Sequence, residues 1–157
     1  MFNPIVIVLD VFVTLFSQSM RITIRIGIFH LEEANMSIQI LAERYNYFQH
    51  DFGQNVDHDY DDLICTLFTA DFKKIANGNE LACERSQLLK QLKSAKEFAG
   101  TWSIQSLEII PSADEAKCTI RYFLNSENAG QFEVIAILSA KQNLIHRIDE
   151  IYYQKAE

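Results

Sequence analysis

Trp102–Ile110 (WSIQSLEII), Lys117–Ser126 (KCTIRYFLNS), Gln131–Ala140 (QFEVIAILSA) and Leu144–Tyr153 (LIHRIDEIYY) decide the fold. All four stretches are rich in β-branched and aromatic residues, which suit a pleated, half-buried surface. The breaks between them are short and turn-prone: Pro111-Ser112-Ala113-Asp114, Ser126-Glu127-Asn128-Ala129-Gly130 and Lys141-Gln142-Asn143. Such spacing permits hairpins and leaves no room for helical crossovers, so the four strands are expected to form an antiparallel meander. Three helical segments precede them. The expected architecture is α+β, with three N-terminal helices packed on one face of a curved, bulged, mainly antiparallel sheet.

The bulge is read from a phase error. Trp102 and Ile104 are in register with each other, and so are Leu107 and Ile109, but the two pairs are out of phase. One extra residue near Gln105-Ser106 repairs the alternation, and bulges of this kind bend sheets. A bent sheet closed by helices leaves a concave pocket. In the third long strand both faces are apolar, with Phe132, Val134, Ala136 and Leu138 on one side and Ile135 and Ile137 on the other. A sheet covered on one face only does not need the second set. It suggests a partner subunit, and hence a homodimer through the outer sheet face.

Length and composition bound the rest. The chain has 157 residues, 48% hydrophobic and 22% charged, enough for one domain with a real core. A net charge of −7 argues against a nucleic-acid backbone as partner. Lys90, Lys93 and Lys96 cluster near an expected helix C-terminus, where they offset the helix dipole. Cys65, Cys83 and Cys118 are odd in number, lie in apolar surroundings and form no CxxC pair, which reads as buried free thiols in a reducing cytoplasm.

Residues 1–35 stand apart. Ile5–Phe16 is strongly apolar, but at 12 residues with Asp10 inside it is too short for a membrane span. It also lacks the basic flank and cleavage site of a signal peptide. Arg21–Phe29 alternates as a strand would. Glu32-Glu33 lies just upstream of Met36, and two glutamate codons can spell a bacterial ribosome-binding sequence. One reading is therefore that residues 1–35 are translated upstream DNA; the others are an extra edge strand or a hydrophobic arm. Residues 36–157 form a single domain on any of these readings.

Within that domain, Ser37–Asp51 is expected to be the first helix. Ile38, Leu41, Tyr45, Phe48 and Phe52 form one apolar stripe, with Glu43, Asn46, Gln49 and His50 largely toward solvent and Gly53 as the stop. Asp57-x-Asp59-x-Asp61 invites a calcium reading, but the EF-hand template fails at Asp62 and Phe68. Asp57 or Asp59 is better read as a cap for a second helix, Tyr60–Thr69. A short strand over Asp71–Ala76 and a tight turn at Asn77-Gly78 follow. The third helix is expected over Ser86–Phe98, with Leu88, Leu89, Leu92, Ala95 and Phe98 inward and Gly100 as its end.

The order of these features resembles the nuclear-transport-factor-2-like superfamily, which includes steroid isomerase-like and polyketide cyclase-like proteins. The residues that carry the resemblance are Asp61-Asp62-Leu63 through Leu67-Phe68-Thr69-Ala70-Asp71-Phe72, then Asn77-Gly78-Asn79-Glu80-Leu81. The closing strand Leu144–Tyr153 completes it. The resemblance covers about Met36 to Gln154. It implies a cone-shaped fold, a pocket between helices and sheet, and frequent homodimers. Steroid isomerase-like members use a tyrosine on the first helix, a base shortly after the second, and a further acid on the third long strand. Tyr45 matches the tyrosine. The base position falls near Ala76 and the acid near Val134 or Ile135, so the resemblance does not imply isomerase activity of that type.

Residues for chemistry are sought on the closing strand. If Ile145 and Ile151 point into the cone, strand alternation sends Arg147, Asp149 and Tyr153 inward with them. An acid and a guanidinium side by side could orient a polar ligand or act with Tyr45 in acid–base catalysis. The opposite phase places His146, Ile148 and Glu150 inside instead. Trp102, Tyr122 and Tyr153 are candidates for an apolar wall with polar handles. The chain has no Gly-rich phosphate loop, GxSxG or HExxH, so no metal or cofactor is called for. The expected partner is a small, partly apolar molecule, bound or converted without a cofactor. A protein-interaction module with a solid interior is the third reading.

Overall fold

A computed structural model describes residues 36–55 and 58–155. The readings of residues 1–35 and of Asp57 as a cap lie outside the described residues. The elements run α1 (Ile38–Gln54), α2 (Asp61–Leu67), β1 (Phe68–Ala76), β2 (Asn79–Ala82), α3 (Arg85–Ala99), β3 (Trp102–Pro111), β4 (Lys117–Ser126), β5 (Gly130–Lys141) and β6 (Leu144–Gln154). The six strands form one curved, unclosed sheet in the order β2-β1-β6-β5-β4-β3. The meander from β3 to β6 is antiparallel throughout, as the short breaks require. β1 runs parallel to β6, which makes the sheet mixed.

The helices sit where their apolar stripes direct them. Ile38, Leu41, Tyr45, Phe48 and Phe52 are all buried, and α1 packs across β3 and β4 while α3 lies against β1 and β2. Ser37 caps α1, its hydroxyl accepting from the backbone N–H of Ile40. Asp59 accepts the N–H of Asp61 at the start of α2, 3.0 Å away. At the other end α2 stops at Leu67, and Phe68, inside the expected helix Tyr60–Thr69, is instead the first residue of β1. That phenylalanine is buried all the same, tilted against Phe72 with ring centroids 4.6 Å apart and edge-on to Phe48.

Three details of the helices differ from expectation for physical reasons. Gly53 does not end α1 but lies buried in its last turn. A Cβ there would collide with the carbonyl oxygen and indole ring of Trp102, so the glycine serves a close approach between helix and strand. Asn46 and Gln49 are buried rather than solvated, because α1 meets polar partners on the sheet side. Asn46 donates to Ser106 Oγ, the Gln49 side-chain amide donates to Tyr45 OH, and the Gln49 backbone carbonyl accepts from Trp102 Nε1 at 2.8 Å. Phe98, expected inward, is 77% exposed at the last turn of α3.

Turn chemistry and bulges set the register. Asn77-Gly78 and Gln142-Asn143 both carry positive φ at two successive residues, the backbone that tight hairpins need. Gly100, at φ 70, ends α3. In β3, Ser106 faces Tyr122 and Glu108 faces Arg121, so Leu107 is the extra residue, one position beyond the predicted bulge. A second bulge was not predicted. Ser139 pairs with Arg147 and Ala140 with Ile145, which leaves His146 opposite nothing.

Candidate functional site

The bulge at His146 decides what the closing strand shows to the interior. Ile145 is buried before it; after it the phase changes, and Ile148 and Glu150 are the buried residues. Arg147 and Asp149, expected inside the cone with Ile151 and Tyr153, therefore lie on the outer side of the sheet. They bind each other there in a two-pronged ion pair, with Nε and Nη2 each 2.7 Å from a carboxylate oxygen. Both side chains are partly solvated. Tyr153 is 53% exposed on the same side. The geometric premise for Arg147 and Asp149 as pocket residues is thus not met, and the reason is one unpaired residue upstream of them.

The inward phase delivers Glu150 instead. This carboxylate is 1% exposed, yet every acceptor direction is used. Its Oε1 accepts from Tyr45 OH at 2.5 Å and Tyr122 OH at 3.1 Å. Its Oε2 accepts from Tyr152 OH at 2.6 Å and lies 3.2 Å from Lys74 Nζ. Four elements converge to build this: α1 brings Tyr45, β1 brings Lys74, β4 brings Tyr122, and β6 brings both Glu150 and Tyr152. Gln49, one turn beyond Tyr45 on α1, donates to the Tyr45 oxygen at 3.1 Å.

Charge and burial compete in this cluster. Burial pushes the Glu150 carboxyl up, but the Lys74 ammonium and the donated hydrogen bonds more than offset it, and the group sits below the usual carboxylate range. Burial is also the leading reason that the Tyr45, Tyr122 and Tyr152 hydroxyls are held well above their ordinary value, reinforced in each by the adjacent Glu150 charge. The three phenols are therefore donors with their protons committed to Glu150. An isolated buried carboxylate would be untenable; one with a cation and three hydroxyl donors is satisfied.

Above this cluster, between α3, the end of α1 and the sheet, lies a cavity of about 240 Å³. Gln49, Lys74 and Tyr152 give it a polar floor, Gln91 and Ser126 also line it, and Leu92, Ala95, Phe98, Trp102, Leu124 and Phe132 are among its apolar walls. Its volume is below the range of clefts that hold drug-sized ligands, roughly 300–1,000 Å³. The exposed ring of Phe98 is explained by its place on this wall. Of the residues singled out in the sequence, Trp102 lines the cavity, Tyr45 and Tyr122 lie in the network beneath it, and Arg147, Asp149 and Tyr153 belong to the other face.

Lys74, Gln49 and Tyr152 were not singled out, and Glu150 entered only through the alternative phase. A signal for Glu150 exists in the sequence. Ile145 and Ile148 are three apart on a strand, so both can be buried only if a residue between them is unpaired. For Lys74 the signal is weaker: Lys73-Lys74 within an apolar strand requires that one of the two lysines face the core.

No family model matches this chain, and no curated protein matches it. Solved structures do. An NTF2-like protein of unknown function from Exiguobacterium sp. 255-15 aligns with a TM-score of 0.60 at 15% identity, over 73% of this chain and 99% of the other. An NTF2-like protein of unknown function from Cytophaga hutchinsonii aligns at 0.59 and 6% identity, over 77% and 94%. A de novo designed protein with a curved β-sheet aligns at 0.58 and 10% identity, over 75% and 88%. Three helices on a bulged six-stranded sheet, in this order and with these neighbours, make this the nuclear-transport-factor-2-like fold.

Proposed function

We propose that this protein binds a small, partly apolar molecule in the cavity between α3, α1 and the sheet. The observation that carries the reading is the division of that cavity into an apolar wall and a compact polar floor of Gln49, Lys74 and Tyr152. Ligand sites are commonly built this way, with few polar groups fixing orientation in a mostly apolar surround. Tyr45 and Tyr122 act from beneath by holding Glu150, and Trp102 contributes wall. Arg147, Asp149 and Tyr153 have no part in this site, so the cofactor-free isomerase, lyase or cyclase built on Asp149 is the weaker alternative. The sole tryptophan is itself a cavity wall, which gives the test a clean probe. Titration with butylbenzene is expected to shift the Trp102 indole N–H resonance saturably, and Ala95→Phe, which fills the cavity, is expected to abolish the shift. An unmoved indole at saturating butylbenzene would reject the proposal.

A homodimer through the outer face of the sheet belongs to the same proposal. Ile110, Ile137, Ile151 and Tyr153 are exposed large apolar residues on that face, with the Arg121–Glu133 and Arg147–Asp149 pairs beside them. A stable interface of this kind buries on the order of 1,000 Å² or more. Sedimentation velocity is expected to report a dimer that Ile137→Lys converts to monomer; a wild-type monomer at micromolar concentration would remove the dimer. The setting proposed is cytoplasmic, in keeping with three free thiols, of which Cys118 is buried as expected while Cys65 and Cys83 are exposed.

A further inference from the structure

We infer that Lys74 is the ligand-facing polar group of this cavity, and that it selects an uncharged molecule carrying an acceptor oxygen over a carboxylate of the same shape. The inference rests on the ligand-binding reading above and names the chemistry that the cavity would accept.

Hydrogen-bond accounting points to Lys74. Its ammonium has three N–H donors and is 2% exposed. Among the described residues two acceptors lie within reach, Glu150 Oε2 at 3.2 Å and Tyr45 OH at 3.5 Å. The second is long and is shared with Gln49 Nε2. Lys74 is thus one acceptor short while forming part of the cavity floor. The tyrosine hydroxyls are spent, and so is one Gln49 N–H. The Tyr45, Tyr122 and Tyr152 hydroxyls all donate to Glu150, and the Gln49 amide donates to Tyr45. Glu150 in turn has a donor on each of its acceptor directions. Of the lining donors with capacity left, the second Gln49 N–H and the Gln91 amide are neutral and Lys74 is charged. A buried charged donor gains more than a neutral one from a new acceptor.

Charge accounting selects the head group. Lys74 and Glu150 already cancel, with side chains only 3% and 0% exposed. A carboxylate placed against Lys74 would leave the site with an uncompensated buried negative charge, which is costly at low dielectric. A ketone, aldehyde, amide or ester oxygen takes the third N–H without that cost. The walls formed by Leu92, Ala95, Leu124 and Phe132 supply the apolar remainder.

Three probes with a shared phenylalkyl body isolate the head group: butylbenzene, benzylacetone and hydrocinnamate. Each is titrated against the wild-type chain at neutral pH, with the Trp102 indole resonance as readout. Benzylacetone is expected to bind on the order of tenfold tighter than butylbenzene, and hydrocinnamate more weakly than either. In Lys74→Met/Glu150→Gln, which removes both charges together, the ratio of ketone to hydrocarbon affinity is expected to fall to about one. Equal affinities for ketone and hydrocarbon in the wild type would overturn the inference and leave the cavity as a binding site. Hydrocinnamate binding tightest would overturn the charge selection. Failure of all three to move the indole would overturn this inference and the binding proposal together. The wild-type comparison alone decides the point should the double variant not fold.

Discussion

Glu150→Ala is expected to destabilise the domain by about 3–5 kcal/mol, the usual consequence of removing one member of a buried ion pair. The loss arises from what is left behind. Lys74, buried in β1, would keep its charge with only the distant Tyr45 oxygen for a partner, and three phenols would lose their acceptor at once. Domains of this size are stable by about 5–15 kcal/mol, so the variant stands at the edge of folding. Lys74→Met/Glu150→Gln should recover most of the loss, since replacing both members of such a pair is often close to neutral. Urea midpoints for wild type, single and double variants measure this, with unchanged slopes as the check that the transition is the same. A single variant within about 1 kcal/mol of wild type would mean that the pair contributes little. The pH dependence follows from the same group. Its carboxyl is lowered in the folded state, so its stabilisation is complete above its unfolded value of 4.5 and fades as pH falls below it toward the folded one. The double variant should lack that part of the acid dependence.

On the alkaline side the domain is expected to lose stability steeply above pH 10. Tyr45, Tyr122 and Tyr152 are raised well above 10.0 in the folded state, so between the unfolded and folded values the unfolded chain gives up protons that the native one retains. Stability is then intact below about 10 and declines as pH rises. Each such proton contributes about 1.4 kcal/mol per pH unit, so three together reach about 4 kcal/mol per unit. Urea unfolding at a series of pH values from about 9 upward gives the slope. Tyr122→Phe should reduce it by roughly one third, because it removes one of three committed protons. A flat profile to about pH 11 would show that the phenols titrate as exposed ones do.

The strand boundaries were legible because each is punctuated. Asn77-Gly78, Asn143 and Gly100 adopt positive φ, a conformation that their residue types favour. The stripe of α1 was legible because five large apolar residues recur at helical spacing. Gly53 misled because glycine has two uses: here it admits Trp102 to the helix surface rather than ending the helix. The phase of β6 was misread because nothing in His146 marks a bulge; no glycine or proline stands there. The spacing of Ile145 and Ile148 carries the same phase error that reveals the bulge of β3 at Leu107. The polar floor was hidden for another reason. Lys74 and Glu150 are buried because they meet each other, and a sequence does not show which distant side chains meet.

The sheet order places the last strand in its middle. β2 with β1 is one piece and the meander from β3 to β5 is another; among the described residues only β6 pairs with both. Of these six strands the one that joins the two pieces is made last, so both lack their shared partner until it emerges. Lys74 spends that interval without its counter-charge, and the cavity has no floor until the final ribbon slides between the halves.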